Sequence, residues 1–449
     1  MIVSLPSYVA CALEKLNSCG YEAYVVGGCV RDTLMGREPN DWDITTNALP
    51  EQIVAAFTEY RVIPTGLKHG TVTVLIDEQP LEITTYRIDG EYSDHRHPDS
   101  VSFTRNLSDD LRRRDFTINA LAYHPSAGII DLFSGLADTD NRRIVCVGDP
   151  EKRFTEDALR ILRALRFSAQ FGFTIEKITA RAIHRLSPLL RSIAAERIQN
   201  ELVKLLCGRH VRSVMLTFPE IFSVILPEIA ATIGLEQANP YHYLSVYEHT
   251  VETVSAVTPC PVLRLAMLFH DSGKPSCYTR DENGVDHFTG HAAVSAKIAE
   301  QALSRLHFDR QTIDEVKLLI LHHDDDLTHA DYPLKRVLNL MGEKSAMDLV
   351  EIQKADVYGQ HPDKLDRIAI LDSIAVRMQQ LIDGKACYSL KNLAVCGNDL
   401  ISIGYTSDRY LGDTLAVLLD LVMQDKLPNE RAMLLQYAAK IITTSKLVV

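Results

Sequence analysis

The hydrophobic pattern changes character about one third of the way along the chain. Before residue 142, short runs rich in β-branched and aromatic residues predict strands at 24–26, 42–44, 72–76 and 81–86. Helices are predicted between these strands at 7–19 and 50–57. After residue 142 the apolar residues follow helical spacing to the end of the chain. We therefore predict an α+β protein, with a small mixed or antiparallel sheet in an N-terminal head and an all-α remainder.

Breaks in the helical part predict several domains. A chain of 449 residues is too long for one hydrophobic core. Proline and glycine interrupt the helical pattern near residues 227, 239–240, 259–261 and 383–385. The predicted division is a head at 1–138, a neck at 139–215, a body at 216–375 and a tail at 376–449.

The composition is that of an ordinary globular protein, with 46% hydrophobic and 24% charged residues. No apolar run is long enough to span a bilayer, and the N-terminus lacks the basic segment of a signal peptide. Nine cysteines without C-x-x-C pairing indicate reduced thiols rather than a disulfide framework. We therefore expect a cytoplasmic protein that does not bind a membrane.

The charge is unevenly distributed. The net charge of −12 argues at first against a nucleic-acid partner. Residues 105–212, however, contain 16 arginines and 3 lysines against 13 acidic residues, which gives a local charge of +6. A basic, arginine-rich segment of this kind is typical of proteins that bind phosphate-rich ligands. Solvated helix faces are the alternative interpretation.

A glycine pair and two aspartates stand close together in the segment VVGGCVRDTLMGREPNDWDI, residues 25–44. In a strand, Asp41 and Asp43 project to one face about 7 Å apart, while Trp42 points to the other. Two such carboxylates repel each other unless a cation lies between them, and Mg²⁺ suits oxygen ligands and phosphates. The glycines allow backbone N–H groups to approach a triphosphate, with Arg31 as a charge clamp. A tight turn followed by an exposed strand edge is the simpler alternative.

Taken together, these motifs resemble the nucleotidyltransferase signature, Gly-Gly-x-x-Arg-Asp followed by Asp-x-Asp. Further segments are similar to motifs of the class II, bacterial-type CCA-adding tRNA nucleotidyltransferases: DLRRRDFTINALAY (110–123), DLFSGLADTD (131–140), EDALRILRALRF (156–167) and ERIQNEL (196–202). The resemblance implies a nucleotidyltransferase-type head that uses Mg²⁺ on Asp41 and Asp43 to add C, C and A from CTP and ATP to tRNA. It assigns nucleotide contacts to Gly27, Gly28, Arg31, Arg114, Asp115, Asn119, Asp157, Arg160, Arg163 and Arg166.

The segment 85–103, TYRIDGEYSDHRHPDSVSF, looks like the flexible loop of these enzymes. Relatives that add only CC lack an equivalent loop segment. The loop residues Asp89, Tyr92, Asp94 and Arg96 are all present here. Full CCA addition is therefore favoured over CC addition.

The segment 156–167 also has a physical interpretation as a base reader. On a helix, Asp157 and Arg160 are three residues apart and share a face, and Arg163 extends the row. An acceptor beside a donor is complementary to cytosine and adenine and leaves unpaired groups against guanine and uracil, at a cost of about 1–3 kcal/mol per lost pairing. An amphipathic helix with surface ion pairs is the alternative.

The helical body contains a second set of candidate ligands, which resembles the HD phosphohydrolase superfamily. Its segments YEHT, FHDSGKP, TGHAAVSA, LHHDDD and KADVYGQ supply the pattern H…HD…H…H…D. The resemblance assigns one metal to His249, His270, Asp271 and Asp356, and the donor set suits Mn, Ni, Fe or Zn. His291 and the pair at 322–323 are candidates for a second ion. The rival functions are those of a poly(A) polymerase, a CC-adding enzyme or a nucleotide phosphohydrolase.

Overall fold

Seven strands near the N-terminus form one mixed sheet. The computed structural model describes residues 3–90, 100–407 and 409–446. The strand order is β3-β4-β5-β2-β1-β8-β9, and every neighbouring pair is antiparallel except β2 with β5. Strands β6 and β7 form a separate antiparallel pair. The strands are β1 Ala23–Val26, β2 Asp43–Thr46, β3 Arg61–Gly66, β4 Thr71–Ile76, β5 Gln79–Thr85, β6 Arg87–Asp89, β7 Val101–Phe103, β8 Leu121–His124 and β9 Gly128–Asp131.

The larger core of the head lies between helices and one face of this sheet, and a smaller cluster of Val26, Leu111 and Ala122 lies on the other face. Helix α1 buries Val9, Leu13 and Leu16, which recur at helical spacing. In β4 the alternate residues are buried, as expected for a sheet with one face in the core. The predicted helices at 7–19 and 50–57 are confirmed within two residues. The helices of this region are α1 Ser7–Ser18, α2 Gly28–Leu34, α3 Pro50–Ala56, α4 Leu107–Arg112 and α5 Gly135–Asp140.

The chain then becomes helical, as predicted. Only a two-residue parallel pair, β10 Arg143–Ile144 with β11 Thr174–Ile175, interrupts the helices between residues 141 and 227. One prediction was wrong: the segment 156–167 is not a single helix. The helices are α6 Pro150–Glu156, α7 Leu159–Phe171, α8 Lys177–Leu186, α9 Ala195–Leu206, α10 Val211–Thr217 and α11 Pro219–Ile225.

Among the described residues after 227, the regular elements are helices and one short hairpin, β12 Thr279–Arg280 with β13 Asp286–His287. Helix α12 begins at a capping box. The Ser245 hydroxyl accepts the N–H of Glu248, and the Glu248 carboxylate accepts the N–H of Ser245. Helix α17 is kinked at Gly342. The helices are α12 Val246–Ala256, α13 Pro261–Phe269, α14 Lys274–Cys277, α15 His291–Arg305, α16 Arg310–His322, α17 Asp331–Tyr358, α18 Asp366–Asp383, α19 Gly397–Ser402, α20 Arg409–Met423 and α21 Arg431–Lys446.

Residues 1–227 and 228–449 form two compact units. The first contains the sheet and helices α1 to α11, and the second contains α12 to α21. The finer division at residues 138, 215 and 375 stays a prediction. Among the described helices, none combines the length and the low charge that a bilayer crossing requires.

Candidate functional site

Asp43 is the first residue of β2, near the middle of the head sheet, and Asp41 precedes it by two residues. Trp42 between them is buried in the core, whereas Asp41 is exposed and Asp43 is half-buried. Burial raises the pKa of Asp43 to about 6; the Arg114 guanidinium opposes this shift and the Asp41 carboxylate adds to it. The pair is therefore a site of excess negative charge that a divalent cation would neutralise.

A third carboxylate, missed by the sequence analysis, stands beside this pair. Glu82 in β5 is in register with Asp43 in β2, so the two side chains leave the same face of adjacent strands about 5 Å apart. The neighbours Leu81 and Ile83 are fully buried, which leaves Glu82 exposed. Its charge also contributes to the raised pKa of Asp43. A charged residue in the middle of an apolar strand was the signal that could have revealed it.

The glycine pair forms the turn from β1 into α2. Gly27 has φ +80° and ψ −131°, and a Cβ at this position would lie 2.6 Å from Nη1 of Arg114. Only glycine permits both the backbone conformation and this close approach. Nε of Arg114 is buried and has no hydrogen-bond partner within the described part of the chain. The turn therefore brings an arginine with spare donor capacity next to the Asp41–Asp43 pair.

Arg31, which was predicted to clamp the triphosphate, is held by side chains of the fold in this structure. Its guanidinium is buried, donates to Asp32 at 2.8–2.9 Å and donates to Oδ1 of Asn119 at 2.5 Å. It also lies 5.0 and 4.7 Å from the ring centroids of Phe167 and Phe171. These partners occupy the guanidinium because an arginine buried this deeply must be paired. Arg31 therefore braces α2 against α7.

Asp115 and Asn119 continue this network toward α7. Nδ2 of Asn119 donates to Oδ1 of Asp115 at 3.0 Å, and the Arg163 guanidinium contacts Oδ2 at 2.6–2.7 Å. Burial disfavours the charged Asp115, but Arg163 and the hydrogen bond from Asn119 together hold the pKa of its carboxyl well below the ordinary range. Asp115, Asn119 and Arg163, three of the residues predicted to contact the nucleotide, thus form one hydrogen-bonded network.

Asp157 and Arg160, which were predicted to select the base, lie at the junction between α6 and α7. Asp157 has extended backbone angles, φ −140° and ψ 101°, and its carboxylate accepts the Leu159 N–H at 3.1 Å. It therefore caps the start of α7 rather than lying on a helix face, because an aspartate competes well for the free N–H groups at a helix terminus. Arg160 is in the first turn of α7 and donates to Glu156 at 3.0 Å and to the Arg113 carbonyl at 3.1 Å.

Helix α9 supports this junction with two further side chains. The Arg197 guanidinium lies 3.0 Å from Oδ2 of Asp157. Glu201 is buried and lies 3.2 Å from Nε of Arg166 and 3.9 Å from Arg163. These contacts agree with the supporting role that the motif at 196–202 implied.

Asp110 is another residue that the sequence analysis did not single out. It is fully buried and accepts from Thr45 at 3.0 Å and from Nε of Arg113 at 2.9 Å, and Arg114 lies 3.8 Å away. Burial opposes its ionisation, but Arg113 and Arg114 lower the pKa of the carboxyl. Asp110 therefore positions the arginine that faces Gly27.

Only the first of the predicted loop residues lies in the described part of the chain. Asp89 ends β6 and contacts Nε of Arg87 at 3.2 Å and Arg113 at 3.8 Å. The other three, Tyr92, Asp94 and Arg96, lie outside the described residues.

The second candidate site lies in the second unit, with His249 on α12, His270 and Asp271 directly after α13, and Asp356 on α17. Nε2 of His249 lies 3.1 Å from Nε2 of His270, 3.4 Å from Asp271 and 3.0 Å from Asp356. Nδ1 of His249 contacts the Gly359 carbonyl at 2.9 Å, and Nδ1 of His270 contacts the Met267 carbonyl at 2.7 Å. Such backbone contacts orient Nε2 toward a shared centre, as in metal-ligating histidines. All four predicted ligands are thus brought together.

A second group of ligands shares Asp271. Nε2 of His291 lies 3.3 Å from Asp271 and 3.2 Å from Nε2 of His323, and their Nδ1 atoms contact the carbonyls of Phe288 and Ile320. Of the two candidate ligands at 322 and 323, only His323 joins this group, because His322 contacts Asp325 at 2.7 Å instead. We call His249, His270, Asp271, His291, His323 and Asp356 the histidine–aspartate cluster.

Lys274, four residues after His270, was also not singled out. It is buried, and Nζ lies 2.8 Å from Asp271 and 2.8 Å from Oε1 of Gln237. A buried ammonium beside the shared carboxylate balances part of the charge of the cluster.

Three family models match successive parts of the chain. The model described as "Poly A polymerase head domain" matches residues 23–145, and "Probable RNA and SrmB- binding site of polymerase A" matches residues 172–233. The model described as "HD domain" matches residues 241–367. These matches include the Asp41–Asp43 pair and the whole histidine–aspartate cluster.

Curated relatives match almost the entire chain. The CCA-adding enzyme of Lactobacillus helveticus is 36% identical over 93% of this chain and 92% of its own length, and that of Enterococcus faecalis is 32% identical over 95% and 94%. The solved structure of the Bacillus stearothermophilus CCA-adding enzyme in complex with CTP superposes with a TM-score of 0.76, at 27% identity over 98% of each chain. The chain therefore belongs to the family of CCA-adding enzymes and is a tRNA nucleotidyltransferase.

Proposed function

We propose that this chain adds C, C and A to the 3′ end of tRNA, using CTP and ATP and releasing pyrophosphate without a template. The observation that carries the proposal is the Asp41–Asp43 pair, flanked by Glu82 on one neighbouring strand and by the Gly27 turn on the other. The names of the relatives that match over most of the chain support the same reaction.

Asp41 and Asp43 would hold Mg²⁺, with Glu82 as a third carboxylate. Their oxygens fit this ion, because one carboxyl is partly desolvated next to another and neither makes an ion pair within the described residues. Bound divalent metal would activate the attacking hydroxyl and stabilise the pyrophosphate. Gly27, Gly28 and Arg114 would bind the triphosphate, and Asp115 with Asn119 would face the ribose.

Base selection would fall to Asp157 and Arg160. Arg197 holds the acceptor Asp157, and Glu156 holds the donor Arg160. Both groups are therefore fixed in position before a nucleotide binds. Cytosine and adenine match such a pair, and guanine and uracil do not. Arg163 and Arg166 complete the row and are anchored by Asp115 and Glu201.

The arginine-rich segment 105–212 would hold the acceptor end of tRNA through its phosphates. Double-stranded RNA is recognised largely by shape and backbone, so different tRNAs would be accepted. Binding is expected to weaken steeply as the salt concentration rises. The free thiols fit a reducing compartment, and the expected location is the cytoplasm.

The function is tested on a gel with single-nucleotide resolution. A tRNA ending at its discriminator base is incubated with Mg²⁺ and CTP, ATP or both. Extension by two with CTP and by three with both nucleotides is expected, and Asp43→Ala should abolish it. Stopping at two would indicate a CC-adding enzyme, and a long ladder with ATP alone would indicate a poly(A) polymerase.

We propose a second activity, a metal-dependent phosphohydrolase, for the histidine–aspartate cluster. Four imidazoles oriented by backbone contacts and two carboxylates suit Mn, Ni, Fe or Zn, and Asp271 lies between two ligand groups. Metal analysis after mild purification should find a transition metal. The proposal is overturned if no such metal co-purifies, none is restored by titration, and no phosphate ester is hydrolysed.

A further inference from the structure

Four residues of the histidine–aspartate cluster line a cavity of about 390 Å³: Asp271, His291, His323 and Asp356. Tyr241 also lines this cavity. This volume is within the usual range of about 300–1,000 Å³ for small-molecule sites. The cavity therefore admits a ligand with room for a group beyond a phosphate.

Tyr241 is held in place although its side chain is exposed. The Asn239 side chain accepts the backbone N–H of Tyr241 at 2.9 Å, and the Tyr241 carbonyl accepts the N–H of His361 at 2.8 Å. Nζ of Lys364 lies 4.6 Å from the ring centroid, yet the residue remains 56% exposed. The ring thus presents a positioned aromatic surface, next to a cation, at the edge of the cavity.

Aromatic rings in such positions bind planar groups. Stacking of a nucleobase on an aromatic side chain contributes about 1–3 kcal/mol, and a neighbouring cation adds to the attraction. The charge of the surrounding chain argues for a small ligand, because residues 228–449 contain 21 basic and 30 acidic residues. A long RNA strand would be repelled by this excess negative charge.

We propose that Tyr241 and Lys364 form a base-binding platform, through which the cluster discriminates phosphate esters that carry a base from those that do not. This inference rests on the proposed hydrolase function of the cluster and adds a specificity-determining residue to it. Tyr241 contacts the base and takes no part in bond cleavage.

The test compares ligands with and without a base. GMP and ribose 5-phosphate carry the same phosphate ester, and guanine is a base that the head is expected to reject. Binding to the full-length, metal-loaded protein is measured by calorimetry, and phosphate release is measured separately. Tyr241→Ala should weaken GMP binding about tenfold and leave ribose 5-phosphate unchanged, and Tyr241→Trp should restore GMP binding.

Tyr243→Ala is the matched control, because Tyr243 is 57% exposed but packs against His361 and does not line the cavity. This variant should bind GMP as the unaltered protein does. Equal binding of both ligands, unaffected by Tyr241→Ala, would overturn the platform even if both esters are hydrolysed. Tyr241-dependent GMP binding without hydrolysis of GMP, 2′,3′-cyclic GMP or ribose 5-phosphate would overturn the hydrolase function and leave the platform standing.

Discussion

At the scale of single residues, the two candidate sites depend on side chains whose partners are already in place. Asp110 holds Arg113 and approaches Arg114, and Asn119 links Arg31 to Asp115. Such charged groups tolerate burial only because each is paired. Loss of one partner is therefore expected to affect stability and geometry together.

Gly27→Ala should impair nucleotide addition more than backbone strain alone would, because the new methyl group also displaces Arg114. The new Cβ would lie 2.6 Å from Nη1 of Arg114, in addition to the cost of φ +80°. Displacing the arginine should lower kcat/KM about a hundredfold. Gly36→Ala is the control, since Gly36 also has a positive φ but a Cβ there meets nothing within 4 Å. Equal activity of the two variants would contradict the role given to Arg114.

Asp110→Asn should destabilise the head in a pH-dependent way. The pKa of Asp110 is lower in the folded protein than the ordinary value near 3.8, so its ionised form stabilises the fold above that pH and this contribution is lost as the pH falls. The variant should lose about 3 kcal/mol at pH 7 and much less near pH 3.

Urea unfolding followed by Trp42 fluorescence reports on the head, because Trp42 is the only tryptophan and lies in the head core. Asp109→Asn is the matched control, since Asp109 is only partly buried and accepts from Thr104. A loss of stability that is the same at both pH values would contradict the ion-pair explanation.

At the scale of elements, the junction between α6 and α7 fixes the positions of Asp157 and Arg160, the residues that we propose select the base. The helical spacing of 156–167 predicted one helix, but Asp157 breaks it and caps the next helix. The break was not predictable from spacing, because the helix on which Arg197 lies supplies the second partner of Asp157 from 40 residues away. The local helix propensity of a segment does not decide its conformation where a charge distant in sequence stabilises another one.

Arg197→Ala should therefore reduce the selectivity for CTP and ATP more than it reduces the rate of nucleotide addition. Without its partner, Asp157 is free to adopt other rotamers, so we expect the KM for CTP to rise about tenfold and incorporation of UTP and GTP to increase. Single-nucleotide incorporation with each triphosphate measures this. Arg185→Ala, which removes an exposed ion pair with Glu151, should have no effect. If Arg197→Ala lowers kcat equally for all nucleotides, Arg197 has only a structural role.

At the scale of the whole molecule, the two candidate sites belong to different compact units. The Asp41–Asp43 pair lies in residues 1–227 and the histidine–aspartate cluster lies in residues 228–449. No side chain is shared between the two sets of ligands. The two chemistries are therefore expected to be separable by substitution.

Asp271→Asn should remove transition metal and phosphate-ester hydrolysis and leave CCA addition within about twofold, because only the cluster loses its shared ligand. The reciprocal variant Asp43→Asn should lose nucleotide addition and keep its transition metal. Metal content and gel extension are measured on the same preparations. A parallel loss of both activities in Asp271→Asn would show that the cluster supports the transferase.

The sequence by itself determined the fold class, the Asp41–Asp43 pair and the histidine motifs, because strand alternation, helical spacing and ordered motifs are local properties of the chain. It did not reveal Glu82, Asp110, Arg197 or Lys274 or the partners that hold Arg31, and it was wrong about the helix at Asp157. Each of these depends on a neighbour far away in sequence: Glu82 on strand register with Asp43, Arg31 on Asn119 and two phenylalanines, and Arg197 on Asp157. Whether a charged side chain binds a ligand or braces the fold is decided by which partners tertiary packing places beside it, and burial then requires that those partners be used.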